Sequence, residues 1–396
     1  MFTKHGAAMA FGLLLPILSA AGATIAGSMG GVAITPLEVE MRAERWEPNG
    51  TLAFSRDQDH PHGILSVKGG GAILKDVDFR DGTIEYDIEE YPDNEGIPGI
   101  WFRQQGTEAA ENFYLRTDAD CPRSIECIQY APVSHRNVEW DVYPEFQAAA
   151  PVHAKGWNHV KLVISGKRMN VFINGEAAPS LKVGKLAGDA TSGALQLWGD
   201  AMYANLTIPP GATEGLPPSP LADPAKTDSG FVRHWSVSPA SRLARGDDAP
   251  LAAMPPASAP WESIAAEDKG FVNLGRRHGS YNGVPDLIWL KTTIGADAAH
   301  TTHVSLGWAR EIWIYVNGKR VFADRNLYYP ASGRKPPLGR MSLENGGFDL
   351  PLRPGKNEVA IAISDDLGSM RHWGWGLEFH IDDLSGLTMG KGGPGM

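Results

Sequence analysis

The stretch TIEYDIEE, residues 83–90, carries carboxylates at Glu85, Asp87 and Glu90. Two carboxyl groups about 5–5.5 Å apart can open a glycosidic bond with retention, and about 6.5–9.5 Å apart with inversion. In a strand, successive side chains point to opposite faces. Ile84, Tyr86 and Ile88 therefore share one face, and Glu85, Asp87 and Glu89 the other. Glu90 falls back on the apolar face or begins the turn into YPDNEG. The run is either an acid pair for sugar chemistry or the polar side of a half-buried strand.

The same counting applies to GIWFRQQ and NFYLRTD. Ile100 and Phe102 point to a core, so Trp101 and Arg103 point away; Phe113 and Leu115 point in, so Tyr114 and Arg116 point out. If these strands are neighbours, Glu85, Asp87, Trp101, Arg103, Tyr114 and Arg116 share one exposed surface. Gln129 joins them, with Glu139, Trp140 and Asp141 of VEWDVY as a rim. Such a mixture suits carbohydrate, whose C–H patches stack on aromatic faces and whose hydroxyls need polar partners. The competing account is a cross-strand salt-bridge ladder, each pair contributing about 0.2–1 kcal/mol. It explains the charges and leaves Trp101 and Tyr114 unexplained. A ligand face is expected, with Glu85 and Asp87 as acid and base only in an enzyme.

A second aromatic group lies near the C-terminus: Trp308, Tyr328, Tyr329, His372, Trp373 and Trp375. Trp375 and Phe379 read as core, and Trp373 and Tyr328 as candidate ligand contacts in the loops RNLYYPASGRKP and GSMRHWGWG. DQDHPHG clusters Asp57, Asp59, His60 and His62, with a proline that marks a surface loop. SDDLGS (364–369) and PDNEG (92–96) are candidate structural-calcium loops, each short of a complete oxygen-ligand spacing. No nucleophile, zinc, P-loop or dinucleotide motif occurs, and no cofactor is implied.

The elements that must position these residues are short alternating strands. They recur from ILSVKG (64–69) to ALQLWGDA (194–201), and again from DLIWLKTTIG to GWGLEFHID. Asn174-Gly175 and Asn317-Gly318 are hairpin turns between strands. Between the two regions, residues 209–260 hold eleven of the 29 prolines. The fold expected is all-β: two β-sandwich (jelly-roll) domains, 45–208 and 261–383, joined by a proline-rich linker, with a strand at 231–238 opening the second. A glycine-rich tail follows from 384 to 396.

The first 23 residues read as a secretory signal peptide: Lys4 and His5, an apolar run to Leu18, then Ala21-Gly22-Ala23. Export to a periplasm or the extracellular space is expected. Cys121 and Cys127 are the only cysteines, so a disulfide across a small loop follows, contributing about 2–2.5 kcal/mol by chain entropy. Net charge is -10 without a basic block, which argues against nucleic acid and anionic membrane as partners. No later stretch is apolar enough to span a bilayer.

The order "FRDGTIEYDIE…GIWFRQQ…NFYLR…GWNHVKLVISGKRMNVFINGE…GALQLWG" resembles the concanavalin A-like lectin/glucanase sandwich in its laminin-G-like and 3-keto-disaccharide-hydrolase-like branches. Its most specific part spans Trp157 to Gly175. "WESIAAEDKGFVNLGR", "IWIYVNGKRVF", "LPLRPGKNEVAIAIS" and "WGWGLEFHID" resemble the galactose-binding-like jelly roll. TIEYDIEE is similar to the acidic run of laminarinase-type glycosidases, but there the acidic strand follows a tryptophan-rich strand, and here it precedes GIWFRQQ. The arginine of IWFR, Arg103, resembles the sugar-facing arginine of the 3-keto-disaccharide-hydrolase branch. Both folds host binding modules and enzymes. Three functions stay open: an exported protein binding an oligo- or polysaccharide, a carbohydrate-active hydrolase or lyase, and a surface adhesion or scaffold protein.

Overall fold

The computed structural model describes residues 37–91, 97–117, 120–279, 285–366 and 373–390. The signal-peptide segment, PDNEG, His372, the end of SDDLGS and the last six residues lie outside them. Nearly all regular structure is strand, arranged as two β-sandwiches, and no described helix is long and apolar enough to cross a membrane.

The first sandwich uses β1 (Trp46–Ser55), β2 (Ile64–Leu74), β3 (Gly82–Glu90), β4 (Gly99–Gln105), β5 (Ala109–Leu115), β6 (Ile128–Ser134), β7 (Asn158–Ser165), β8 (Arg168–Ile173), β9 (Ala194–Trp198) and β10 (Ala201–Ile208). Its sheet order is β8-β7-β3-β10-β2-β9-β4-β5-β6, with β1 on β2. The sheet wraps one core because β2 serves two layers. Its first half, Ile64–Val67, pairs with β10, and its second half, Gly71–Ile73, pairs with β9. The bend falls at Gly69-Gly70-Gly71. Gly70 has φ +155, and a Cβ there would lie 1.9 Å from the Asn49 carbonyl oxygen, so only glycine passes. Ile84, Tyr86, Ile88, Ile100, Phe102, Phe113 and Leu115 all enter this core, as alternation predicts.

The second sandwich uses β11 (His234–Val237), β12 (Asp286–Ala296), β13 (His300–Val316), β14 (Lys319–Asn326), β15 (Gly346–Leu352), β16 (Gly355–Ser364) and β17 (Gly376–Ile381). The long strand β13 also changes partners: Val304–Ala309 pair with β17, and Glu311–Val316 with β16. Arg310 sits at the changeover with φ +89, a backbone that non-glycine residues rarely adopt. Trp235, Trp308 and Trp375 are core here.

The proline-rich stretch lies along both sandwiches. Pro218 accepts from the Lys167 amide, the Leu221 amide donates to Gly184, and β11 falls within the strand expected at 231–238. Leu243, Ala249 and Trp261 pack on Trp289 and Trp313 of the second sandwich. Cys121 and Cys127 are disulfide-bonded. Among the described residues no cluster of His, Cys, Asp or Glu is arranged to hold a metal. The Asp365 carboxylate of SDDLGS accepts from the Asp286 amide, Asp366 pairs with Arg245, and Asp57 holds His60 at 2.8 Å.

Candidate functional site

The six residues expected on one surface separate into three groups. Glu85 and Asp87 stand on β3, and three strands (β10, β2 and β9) intervene before β4. Both project away from the core on that layer and are tied to its neighbours. Asp87 lies 2.7 Å from His159 Nδ1 and accepts from Asn205 Nδ2 at 2.7 Å; Glu85 lies 3.6 Å from His159 and 4.0 Å from Lys161. The hydrogen bond that His159 donates to Asp87 holds the imidazole above its ordinary pKa. This is a cross-strand ladder, apart from the surface that carries Trp101.

Arg103 corrects a second expectation. It is 1% exposed, because β4 bulges between Phe102 and Gln105 and Arg103 takes φ +51. The bulge re-aims the side chain toward the segment before β3 and the β7–β8 turn. Its guanidinium donates to the carbonyls of Arg80 and Gly166 and to Asp81 Oδ1, all within 2.9 Å. Arg103 is a structural tie here and faces no open surface.

The third group does assemble. Strands β9, β4, β5 and β6 are neighbours, and their outward side chains form two rows. One row runs Gln196, Trp101, Asn112, Ala131; the other runs Trp198, Gly99, Tyr114, Gln129. Trp101 stacks on Trp198 with centroids 5.2 Å apart, and both are half-buried. Gln196 has room because Gly71, diagonal to it on β2, carries no side chain: a Cβ there would come within 2.2 Å of Gln196 Nε2. Gln104 Nε2 donates to Gln196 Oε1 at 2.8 Å.

At the β6 end the face is roofed. The strap Asn137–Tyr143 alternates like a strand. Trp140 turns back onto Tyr114 and Ala131, and meets Tyr328 and Trp373 of the second sandwich at 4.8 and 4.9 Å, edge to face. Glu139, Asp141 and Tyr143 turn the other way. Asn273 Nδ2 donates to Glu139 at 2.8 Å, Arg310 to Asp141 at 2.7 Å, and Tyr143 to Glu267 at 2.7 Å. Gln129 Nε2 fixes the strap by donating to the Trp140 carbonyl. Tyr114, Gln129 and Trp140 are thus buried under this roof, which two sandwiches build together.

Charge is concentrated at the same place. Arg116 lies over the Tyr114 ring at 5.0 Å and donates to Gln129 Oε1 and the Glu126 carbonyl. Arg340 lies over Trp140 at 5.2 Å and pairs with Glu126 at 2.7 Å, on the loop closed by the disulfide. Sequence reasoning missed Arg310 and Arg340; the carboxylates they meet, Asp141 and Glu126, lie in the other sandwich, and no local pattern signals that.

The face holds buried polar atoms with no partner among the described residues. Donors are Trp101 Nε1 and Gln196 Nε2, and acceptors are Asn112 Oδ1 and Gln104 Oε1. Beside Trp140, Arg340 leaves Nε and one terminal nitrogen unbonded; on the other side of the strap Asn137 Nδ2 and Oδ1, Glu139 Oε1, Asp141 Oδ1 and the Nε and one terminal nitrogen of Arg310 are unbonded as well. Buried polar groups are ordinarily bonded, and each that is not costs about 1–3 kcal/mol. Burial raises the Glu139 pKa to about 8, so its carboxyl is protonated at neutral pH. An acid with a raised folded-state pKa favours folding below its unfolded value, and that contribution fades as pH climbs through the folded value. Unfolding free energy should therefore fall from about pH 4.5 to about pH 8 and level off above, and Glu139→Gln should flatten the decline, measured by urea denaturation across that range.

A cavity of about 360 Å³ lies beside the strap, also between the sandwiches. Phe146, Phe271, Arg276 and Glu378 are among its walls, and its charged side chains are largely paired: Lys269 with Glu145, Lys185 with Asp268, Arg276 with Glu267. Burial pushes Glu378 up to about 7.

No protein-family model and no curated protein matches the chain. Solved structures align with less than half of it. A carbohydrate-binding module, CBM66, from Bacillus subtilis matches at 14% identity and TM-score 0.32, covering 41% of this chain and 93% of that one. A protein with a galectin-like fold from Bacillus subtilis matches at 16% and 0.32, covering 45% and 95%. Domain 4 of the extracellular arabinanase AbnA from Geobacillus stearothermophilus, solved with arabinotriose, matches at 11% and 0.29, covering 45% and 82%.

Proposed function

We propose that this protein binds an oligo- or polysaccharide on the outward face of β9-β4-β5-β6, outside the cytoplasm. One observation carries the reading. Two donors, Trp101 Nε1 and Gln196 Nε2, and two acceptors, Asn112 Oδ1 and Gln104 Oε1, stand unbonded on one face, beside the half-buried Trp101–Trp198 pair. A hydroxyl both donates and accepts, so a polyhydroxylated ligand matches such a face better than an apolar one. An indole offers the flat surface that sugar C–H groups require. The disulfide suits an oxidising compartment. Glu85 and Asp87 have no part in this reading, since they stand on the other layer.

The test is a glycan array probed with the folded protein, followed by calorimetry on the best ligand. Trp101→Ala should weaken binding about tenfold or more, which is 1.4 kcal/mol. Gln196→Leu should weaken it too, and Glu85→Gln should leave it unchanged. Retained affinity in both Trp101→Ala and Gln196→Leu, or no bound glycan at all, would overturn the proposal.

A further inference from the structure

We infer that the cavity between the sandwiches is a second ligand site, for a small organic ammonium ion whose charge pairs with Glu378 and whose body lies against Phe146 and Phe271. It shares no lining residue with the glycan face and does not rest on the carbohydrate reading. At about 360 Å³ the cavity falls in the range of small-molecule sites, about 300–1,000 Å³. Both sandwiches wall it: Val142, Tyr143 and Phe146 come from the first, Phe271 and Glu378 from the second. The aromatic walls are one packed group. Tyr143 stacks on Phe146 at 5.7 Å, and Phe271 meets Tyr143 edge to face at 5.3 Å. Aromatic rings attract cations through their negative faces, and ring-walled sites are a recurring setting for ammonium ligands.

The charges of the lining leave one acid over. Lys269 holds Glu145 at 2.6 Å, Lys185 holds Asp268 at 2.9 Å, and Arg276 takes both Glu267 and Asp189, at 2.8 and 2.9 Å. The remaining cation, Lys167, donates to the Gly188 carbonyl of its own sandwich. Glu378 is the exception, with neither a hydrogen bond nor an ion pair among the described residues. Alternation on β17 sends Leu377, Phe379 and Ile381 into the second core and turns Glu378 outward to the cavity. Gly307 lies opposite on β13, where a Cβ would come within 3.2 Å of Glu378 Oε2, so glycine leaves the carboxyl its place. Burial, reinforced by the Glu145 charge and opposed by Lys269, holds the Glu378 pKa at about 7. No histidine lines the cavity. A neutral ligand would leave Glu378 holding its proton. An ammonium replaces that proton and supplies the partner that the lining lacks.

The experiment titrates the folded protein with choline and benzylamine by calorimetry, each beside an uncharged counterpart, the all-carbon isostere of choline and benzyl alcohol. At least one amine should bind, about tenfold or more tightly than its neutral counterpart at pH 8. Its affinity should rise about tenfold from pH 6 to pH 8, as Glu378 gives up its own proton and the amine keeps its charge. Glu378→Gln, nearly the same in shape, should keep the fold and abolish both the preference and the pH dependence. Glu145→Gln releases Lys269 to pair with Glu378 and should weaken the amine about threefold or more. Glu85→Gln, far from the cavity, should change nothing. Equal affinity for amine and neutral counterpart, amine binding retained in Glu378→Gln, or no binding of either amine overturns the inference. Each of those results leaves the glycan reading standing.

Discussion

Arg310→Met is expected to lower the free energy of unfolding by about 3–5 kcal/mol, read as a lower urea midpoint. Arg310 is fully buried and pairs with Asp141, itself at 0% exposure, across the two sandwiches, and it also donates to the Gly374 carbonyl. Removing the cation leaves a carboxylate in an apolar interior with one oxygen already unpartnered. Burial raises the Asp141 pKa, against the pull of Arg310, and loss of Arg310 should raise it further. The variant should therefore be least stable at high pH. Replacing both partners, Arg310→Met with Asp141→Leu, should recover most of the loss, because no charge is then stranded. Additive losses in the double variant would show that the pair is not energetically coupled.

Arg103→Met should cost about 3 kcal/mol by the same measurement. Its guanidinium ties Arg80 and Asp81, just before β3, to Gly166 in the β7–β8 turn, and Asp81 Oδ1 accepts in addition from the Gly166 amide at 2.7 Å. Loss of the arginine leaves two carbonyls and a carboxylate short of donors. Asp81 is a third exposed, so water relieves part of that deficit, and the cost should be smaller than at Arg310. Arg103→Lys should not rescue, since a single ammonium cannot reproduce a fork that serves three oxygens. If Arg103→Ala instead left stability unchanged while weakening glycan binding, the arginine would belong to the ligand face after all.

Period-two alternation is a local property, and it placed side chains correctly wherever the strand stayed regular. Ile84, Tyr86, Ile88, Ile100, Phe102, Phe113 and Leu115 are all core, and Trp101 and Tyr114 face outward from adjacent strands. Strand adjacency is not local. Whether Asp87 lies near Trp101 depends on β2 bending to serve two layers, and nothing in TIEYDIEE encodes that. The bulge at Arg103 was equally hidden, because no glycine or proline marks it. Tyr328 and Trp373 were legible as aromatics in loops, but their meeting with Trp140 needed both sandwiches in place. The alternation of VEWDVY was visible; that its two faces serve different sandwiches was not.

The strap has a consequence for how this chain could be taken apart. Many sandwich modules can be moved between proteins by cutting in a linker. Here a cut within 209–260 would strip Glu139, Asp141 and Tyr143 of Asn273, Arg310 and Glu267, and expose the underside of Trp140. Neither half would be a portable unit. Grafting the glycan face onto another scaffold would require transplanting both sandwiches as one piece.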